Sequence, residues 1–540
     1  MRLFHTVVRE IPENLKPIMV MNVLAAISAI AFVGLISAAA QSAATGGVSA
    51  RLMLMFIITI IMIHITHNYT LVKASQDAEQ LIHKLRIRLF DLVRKTDLVT
   101  IDRIGHAKLQ GVLTQDTQVL AQILPLLVIG LQQAIMLLFL AAYLAWLSPV
   151  ACFLAFGLAG MAVAVRFARV KALRTFMQSS DIAQSRVFEG LSELLNGFKE
   201  VRMSGPRAEG VTKTLADASN DARTNNVLLK SQWGRNFAVI EAMLYSLVGL
   251  IVFVVPLFAP DFYEVILPVT ITVLFISGPV STVSFVTPLV TQAELALDNI
   301  ETMEEHLIAV AEDSASESTD KLETASLSIA LSDVMHSYRD AEKEPLFTVG
   351  PINAEFKAGQ ITFITGGNGS GKSTLLRLLT GLIPVDSGHL LANKATLKTG
   401  QMQDYRDRIS AVFSDFHLSR RIYCINAPDP DRIDILLKRL EISDKVTVKN
   451  DTFSTIDLST GQRKRLAFVV AELEDKPVIV LDEWAADQDP HFRRIFYEKL
   501  LPKLKARGKI IICVTHDDRW FHMADRMYHM DEGKIIEVST

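Results

Sequence analysis

Six apolar runs, each long enough to cross a bilayer as a helix, fill most of the chain up to Val290. A hydrocarbon core of about 30 Å takes roughly 20 residues at the 1.5 Å rise of an α-helix. The runs are Pro17–Ala40, Leu52–Val72, Val119–Trp146, Pro149–Phe167, Phe237–Ala259 and Val265–Val290. Leu147 and Ser148 make a short turn between the third and fourth, and Gly278-Pro279 interrupts the sixth. Lipid offers backbone polar groups no partner, so a single spanning segment must be helical. A soluble core can account for one such run; six point to a helical membrane domain.

Half of the 540 residues are apolar and 21% are charged, with a mean hydropathy of +0.29. That composition excludes a disordered chain. The length exceeds the roughly 250 residues of one soluble core and implies at least two domains. A formal net charge of −3 lacks the basic excess of a dedicated nucleic-acid binder, so no nucleic-acid partner is expected. Cys152, Cys424 and Cys513 lie far apart and form neither a metal spacing nor a disulfide framework.

Lysine and arginine orient the spans. Three precede the first run, eight lie in residues 73–118 and twelve in residues 166–236. The opposite side holds Arg51 alone, so both termini and both long loops are expected in the cytoplasm. The first run ends in ISAAAQSAA, which mimics a signal-peptidase site, but its apolar stretch is too long for a signal h-region. The long loops carry apolar residues at helical spacing, as in LIHKLRIRLFDLVRKTDL and SRVFEGLSELLNGFKEVRM. They read as helices extended beyond the bilayer.

Composition changes near residue 310. Residues 1–310 form the expected transmembrane domain, the acidic, Ser/Thr-rich residues 311–325 a linker, and residues 326–540 a mixed α/β domain. In that last part, ITFITGGNGSGKSTLLRLLT runs from an apolar strand through a Gly-rich turn into a helix. Gly366, Gly371, Lys372 and Ser373 fit the P-loop spacing, with Gly367, Asn368, Gly369 and Ser370 between them. Backbone N–H groups there curl around phosphate oxygens, and the helix N-terminus adds partial positive charge. Lys372 is expected to bridge the β- and γ-phosphates of ATP, Ser373 to hold Mg²⁺, and Thr374 to reach the α-phosphate. A second strand, VIVLDEW, ends in Asp482, placed for Mg²⁺, and Glu483, placed as general base. A third, KIIICVTHD, ends in His516, placed to orient the attacking water.

LSTGQRKRLAF places Ser459, Gly461 and Gln462 at another helix start, between the P-loop and the Asp-Glu strand. With these motifs the chain resembles the ATP-binding cassette (ABC) transporters over nearly its whole length. The resemblance implies an exporter half-transporter: six long helices followed by one α/β P-loop nucleotide-binding domain. It implies that Ser459, Gly461 and Gln462 meet nucleotide held by a partner domain. It also places Asp489 in the D-loop and Tyr338 against adenine. One P-loop and one signature per chain then imply a homodimer with two shared sites. GGNGSGKSTL, LSTGQRKRLAF and LDEWAADQDPHFRRIFYEKLL together resemble the bacterial cyclic-peptide and siderophore exporters, the kind that export pyoverdine precursor, syringomycin or lasso peptides. That branch implies an inner-membrane protein with a small-molecule or peptide cargo, and leaves open a periplasmic or outer-membrane export partner.

The chain departs from the family at Ser414, where a Gln is usual, with Asp415 as the neighbouring substitute. The stretch from Ser414 to Ser459 is short, implying a trimmed helical subdomain, and Thr460 replaces a usual Gly. By analogy, coupling segments fall near Ile104–Gly111 and Ser204–Glu209. His64, His67, Gln132, Gln133, Glu241 and Tyr245 are polar positions within spans and hence candidates to face a cargo chamber. Two other functions fit the same residues: siderophore import on an exporter fold, and an ATP-gated channel or regulator that does not pump.

Overall fold

A computed structural model describes residues 15–44, 47, 49–258, 260–314, 327–339, 344–423 and 429–538. Side chains of 158–174, and of a few residues near 177, 236, 260 and 312, fall outside that description, as does Cys424. The chain divides into a helical unit (residues 1–91 and 107–305) and an α/β unit (residues 92–106 and 306–540).

Long helices build the first unit. They are α1 (Leu15–Ala44), α2 (Ala50–Lys95), α4 (Thr117–Leu147), α5 (Pro149–Asn196), α7 (Gly205–Gly249) and α8 (Ile266–Ser314), with short helices between them that include α6 (Phe198–Met203); the short α3 (Leu98–Ile104) falls in the second unit. Among the described residues, five helical stretches are long and apolar enough to cross a membrane. The fourth expected span, Pro149–Phe167, is helical within α5, but side chains through most of it lie outside the described residues. Residues 81–95 and 185–196 continue α2 and α5, so the expected helix extensions are present. Ser148 ends α4 and caps α5, its hydroxyl accepting from Ala151 N–H at 3.3 Å.

The sixth span is not interrupted. α8 runs unbroken through Pro279 and Pro288. Ser277 donates to the Leu274 carbonyl and Thr282 to the Gly278 carbonyl, at 2.6 and 3.1 Å. α8 also extends four residues into the segment read as linker; residues 315–326 lie outside the description. Apolar packing joins Leu144, Ala151 and Cys152 to Leu247, Ile251, Val269 and Val273. Buried Asn22 and Thr70 meet at 3.2 Å across α1 and α2, and Arg86 donates to Thr117 at 2.9 Å.

Among the described residues the α/β unit has twelve strands: β1 (Ser328–Arg339), β2 (Pro345–Lys357), β3 (Ile361–Gly366), β4 (Ser387–Ala392), β5 (Ala395–Thr396), β6 (Ile409–Val412), β7 (Val448–Lys449), β8 (Thr452–Phe453), β9 (Val478–Asp482), β10 (Ile510–Val514), β11 (Arg526–Asp531) and β12 (Lys534–Val538). An antiparallel sheet runs β2-β1-β4-β5, and a six-stranded sheet runs β12-β11-β3-β10-β9-β6. Within the latter, β11, β3, β10, β9 and β6 are parallel. Every residue of β3, β9 and β10 is buried, which explains their unbroken apolar runs. Ligands bind at the carboxyl ends of such strands. Those ends here carry Gly366, Asp482 and Val514, so the register alone gathers the loops that follow.

Helix α9 (Lys372–Leu379) starts directly after the loop that follows β3. Helix α10 (Pro430–Arg439) packs near the far end of α11 (Thr460–Glu474), where Arg439 pairs with Glu472. Between Ser414 and Ser459, the described residues hold only α10 and the β7–β8 hairpin, in keeping with a trimmed subdomain. α3 belongs to this unit. Asp97 caps it, accepting from Thr100 N–H at 2.8 Å, and Leu98 and Val99 pack on the core of β1–β3 and α9. Of the expected segment Ile104–Gly111, residues 104–106 fall in this unit and the rest in the helical unit. The other expected segment begins at Ser204, the N-cap of α7, in the helical unit.

Candidate nucleotide site

β3 delivers the chain into the loop Gly366–Gly371, and α9 starts at Lys372. Gly366 has φ +142°; a Cβ there would run into the Met530 carbonyl oxygen of neighbouring β11 and lie 2.9 Å from Ser370 Oγ. Only glycine fits that corner. Lys372 is buried, and its ammonium donates to the carbonyls of Gly366 and Gly367 at 3.0 and 2.8 Å. Gly367, Asn368, Gly369 and Ser373 are exposed around it, and buried Ser370 Oγ has no protein partner. A ring of glycine backbone at a helix N-terminus, with an ammonium across it, is an anion cradle. The residues present fit the phosphates of ATP. Thr374 Oγ1 donates to the Tyr338 hydroxyl at 3.4 Å, placing the β1 tyrosine beside the cradle. His336 meets that ring edge-on at 5.1 Å.

Asp482 ends β9 almost fully buried. Burial pushes its carboxyl above the usual range, offset in part by hydrogen bonds from Ser414. Ser414 Oγ donates to Asp482 Oδ2 at 2.9 Å and its N–H at 3.3 Å. The residue that departs from the family pattern therefore holds the Asp482 carboxylate directly. Asp415 does not; it turns to Arg377 at 3.4 Å. A buried carboxylate of this kind suits a hard divalent cation such as Mg²⁺, with the Ser373 hydroxyl as second donor.

Glu483 follows in the left-handed region, φ +47°. Its N–H donates to the Val514 carbonyl at 3.1 Å, and His516 Nε2 lies 3.1 Å from Glu483 Oε1. β9 and β10 are neighbours, which is why residues 33 apart in sequence meet. A carboxylate beside an imidazole at the open edge of the sheet can take a proton from water.

Ser459 and Gln462 form a reciprocal cap on α11, with each side chain bonded to the other's backbone N–H. The helix-capping role of this pair is thus present. Among the described residues, no hydrogen bond joins 459–462 to the loop 366–374. The first turn of α11 instead packs on the segment after Glu483. Gln488 Nε2 donates to the Gly461 carbonyl at 3.0 Å. Arg465 reaches Gln488 Oε1 and Asp489 Oδ2, each at 2.8 Å. Asp489 also caps the helix Pro490–Ile495 through Phe492 N–H; that bond, with Arg465, holds its carboxyl below the usual range.

Sequence reasoning missed one residue in this group. Lys464 is buried, donates to the Glu483 carbonyl at 2.8 Å and pairs with Asp487 at 2.7 Å. Its place in QRKRLAF shows only a basic helix turn; burial of an ammonium is a tertiary fact.

These elements define a P-loop nucleotide-hydrolysing domain joined to a helical domain of bilayer-spanning length. The sequence profile of the family described as ABC transporter matches residues 349–486. The chain is 33% identical over 470 residues to the ATP-binding protein SyrD of Pseudomonas syringae pv. syringae, across 85% of this chain and 82% of that protein. It is 30% identical over 236 residues to the ATP-dependent lipid A-core flippase of Burkholderia pseudomallei strain 1710b, across 41% and 38% of the two chains. A bacterial Atm1-family ABC exporter, solved with ATP bound, shares the fold with a TM-score of 0.78 at 15% identity, covering 98% of this chain and 95% of that one. The chain belongs to the ABC transporter family: it is a multi-pass, ATP-hydrolysing transporter with the exporter fold.

Proposed function

We propose that two copies of this chain form an exporter for a peptide-like or siderophore-like small molecule in a bacterial inner membrane. Mg²⁺-dependent ATP hydrolysis would occur at two sites, each shared between a P-loop and the partner's signature turn. The observation that carries this reading is the convergence of Lys372, Asp482, Glu483 and His516 at one sheet edge, in a chain matching a SyrD protein along most of its length. The excess of lysine and arginine on one side of the spans supports a cytoplasmic position for that edge.

In this mechanism Lys372 leaves the Gly366 and Gly367 carbonyls to meet the β- and γ-phosphates. Ser373 and Asp482 would hold Mg²⁺, which neutralises developing phosphate charge when bound. Ser414 keeps the Asp482 carboxylate aimed. Glu483 takes the proton of the attacking water, and His516 fixes that water and the Glu483 side chain. Tyr338 stacks on adenine, and Ser459, Gly461, Gln462 and Asp489 close the site from the partner. ATP favours the closed cassette pair and so biases the helices toward opening outward; hydrolysis removes the bias. Glu241, within the fifth apolar run, accepts from the Tyr245 hydroxyl at 3.2 Å and suits a cationic part of the cargo.

The test is ATP-driven movement of candidate peptides and siderophores in vesicles. Accumulation in inside-out vesicles, absent in a Glu483→Gln variant, is the expected result. Uptake confined to ATP-loaded right-side-out vesicles would make the protein an importer. ATP-dependent ion conductance without cargo movement would make it a channel.

A further inference from the structure

Burying an ammonium group is costly unless it is fully paired. Lys464 is 3% exposed, whereas the other basic residues of α11 are only partly buried: Arg463 lies over the Phe416 ring and Arg465 pairs with half-exposed Asp489. Both of its partners lie on the segment that follows β9. One is the Glu483 carbonyl at 2.8 Å, and the other is the Asp487 carboxylate at 2.7 Å. Glu483 is the residue of that segment whose backbone lies in the left-handed region, where an L-residue needs outside support. Its N–H is held by Val514 and its carbonyl by Ala486 N–H at 3.2 Å and by Lys464. Trp484 locks the next residue: its indole N–H donates to the Lys464 carbonyl at 2.9 Å, and its ring stacks on Phe496. Lys464 therefore grips the Glu483 peptide with its side chain while its own backbone is gripped in return.

We propose that Lys464 is a positioning residue for hydrolysis: its ammonium ties the Glu483 peptide and Asp487 to the first turn of α11, and so fixes where the Glu483 carboxylate stands. The proposal rests on the reading of Glu483 as general base. It gives the signature turn a second task. A shift of residues 459–462 on meeting the partner's nucleotide reaches, through Lys464, the Glu483 that serves the protomer's own P-loop. Binding at one site then sets the base of the other.

The experiment uses the full chain in nanodiscs and measures phosphate release across MgATP concentrations for wild type, K464M, D487N, K464M/D487N and E483Q. Methionine keeps the length and apolar stem of Lys464 and removes both contacts. Expected are a kcat at least tenfold lower in K464M with KM for ATP within threefold, a smaller loss in D487N, and a double variant no slower than K464M. A merely structural role would raise KM along with lowering kcat. The proposal is overturned by a K464M kcat within twofold of wild type, by a parallel rise in KM, or by additive losses in the double variant. If K464M does not fold, D487N decides, because its carboxylate is half exposed: a kcat threefold lower at constant KM supports the proposal, and an unchanged kcat overturns it. Turnover of E483Q at the wild-type rate would defeat the general-base reading itself. An inert E483Q beside a normal K464M would defeat only the role of Lys464.

Discussion

Gly461→Ala sets two effects of opposite sign against each other. Gly461 is the second residue of α11 and its φ is not positive, so alanine is compatible with its backbone. Relative to glycine, alanine favours a helix by about 0.5–1 kcal/mol. Against this, a Cβ at Gly461 would stand 2.5 Å from the Asp487 carbonyl oxygen and 3.5 Å from Gln488 Oε1, where ordinary contact begins near 3.4 Å. The first of these neighbours is backbone, and Gln488–Gly461 and Arg465–Gln488 hydrogen bonds pin it. The segment after Glu483 must retreat by about 0.9 Å, an overpacking cost of roughly 1–3 kcal/mol. The net loss of stability is then about 0–2.5 kcal/mol, which the fold survives. Catalysis is less tolerant, because a misplacement near 1 Å costs about 100-fold in rate. Phosphate release by the full chain in nanodiscs is expected to fall about 100-fold in kcat, with KM for ATP nearly unchanged because the P-loop is untouched. Turnover within threefold of wild type would show that the signature turn and the Asp487 segment do not bear on each other, and the contact argument would fail.

Other perturbations separate the remaining parts of the site. Glu483→Gln keeps the side chain's shape beside His516 but removes its basicity, so kcat should fall by about 10²–10⁴ while a fluorescent ATP analogue still binds; an unchanged kcat refutes the base assignment. Ser414→Ala removes the 2.9 Å donor to buried Asp482 and should cost about 1.5–3 kcal/mol in urea unfolding followed by tryptophan fluorescence, since hydrogen bonds to a charged group are worth that much. Glu472 is buried between Arg439 and Arg507 at 2.9 and 3.1 Å. Its replacement by Ala should cost about 3 kcal/mol in the same assay, the lower end for a buried pair because both arginines partly face water; an unchanged midpoint would make the triad ornamental.

What the sequence disclosed and what it hid divide along one physical line. The spans, the P-loop and the Asp-Glu and Thr-His strand ends were legible because each is a local pattern: about 20 apolar residues, a glycine spacing, a buried run that stops at a polar residue. Gly278-Pro279 misled for the same reason. Proline breaks a helix when judged locally, yet α8 continues through Pro279 and Pro288. Ser414 could be flagged as a departure, but not given a task. Its contact with Asp482 spans 68 residues and exists because β6 and β9 are sheet neighbours. Lys464 carried no local signal, since a lysine in a basic helix turn ordinarily faces water. The residues that local patterns reveal are those able to contact phosphate and metal. Those that stay hidden hold the first group from behind, as Ser414 holds Asp482 and Lys464 the Glu483 carbonyl. In this chain they gather where α11 meets the end of β9, and there the first turn of α11 and the Glu483 segment share a hydrogen-bonded support.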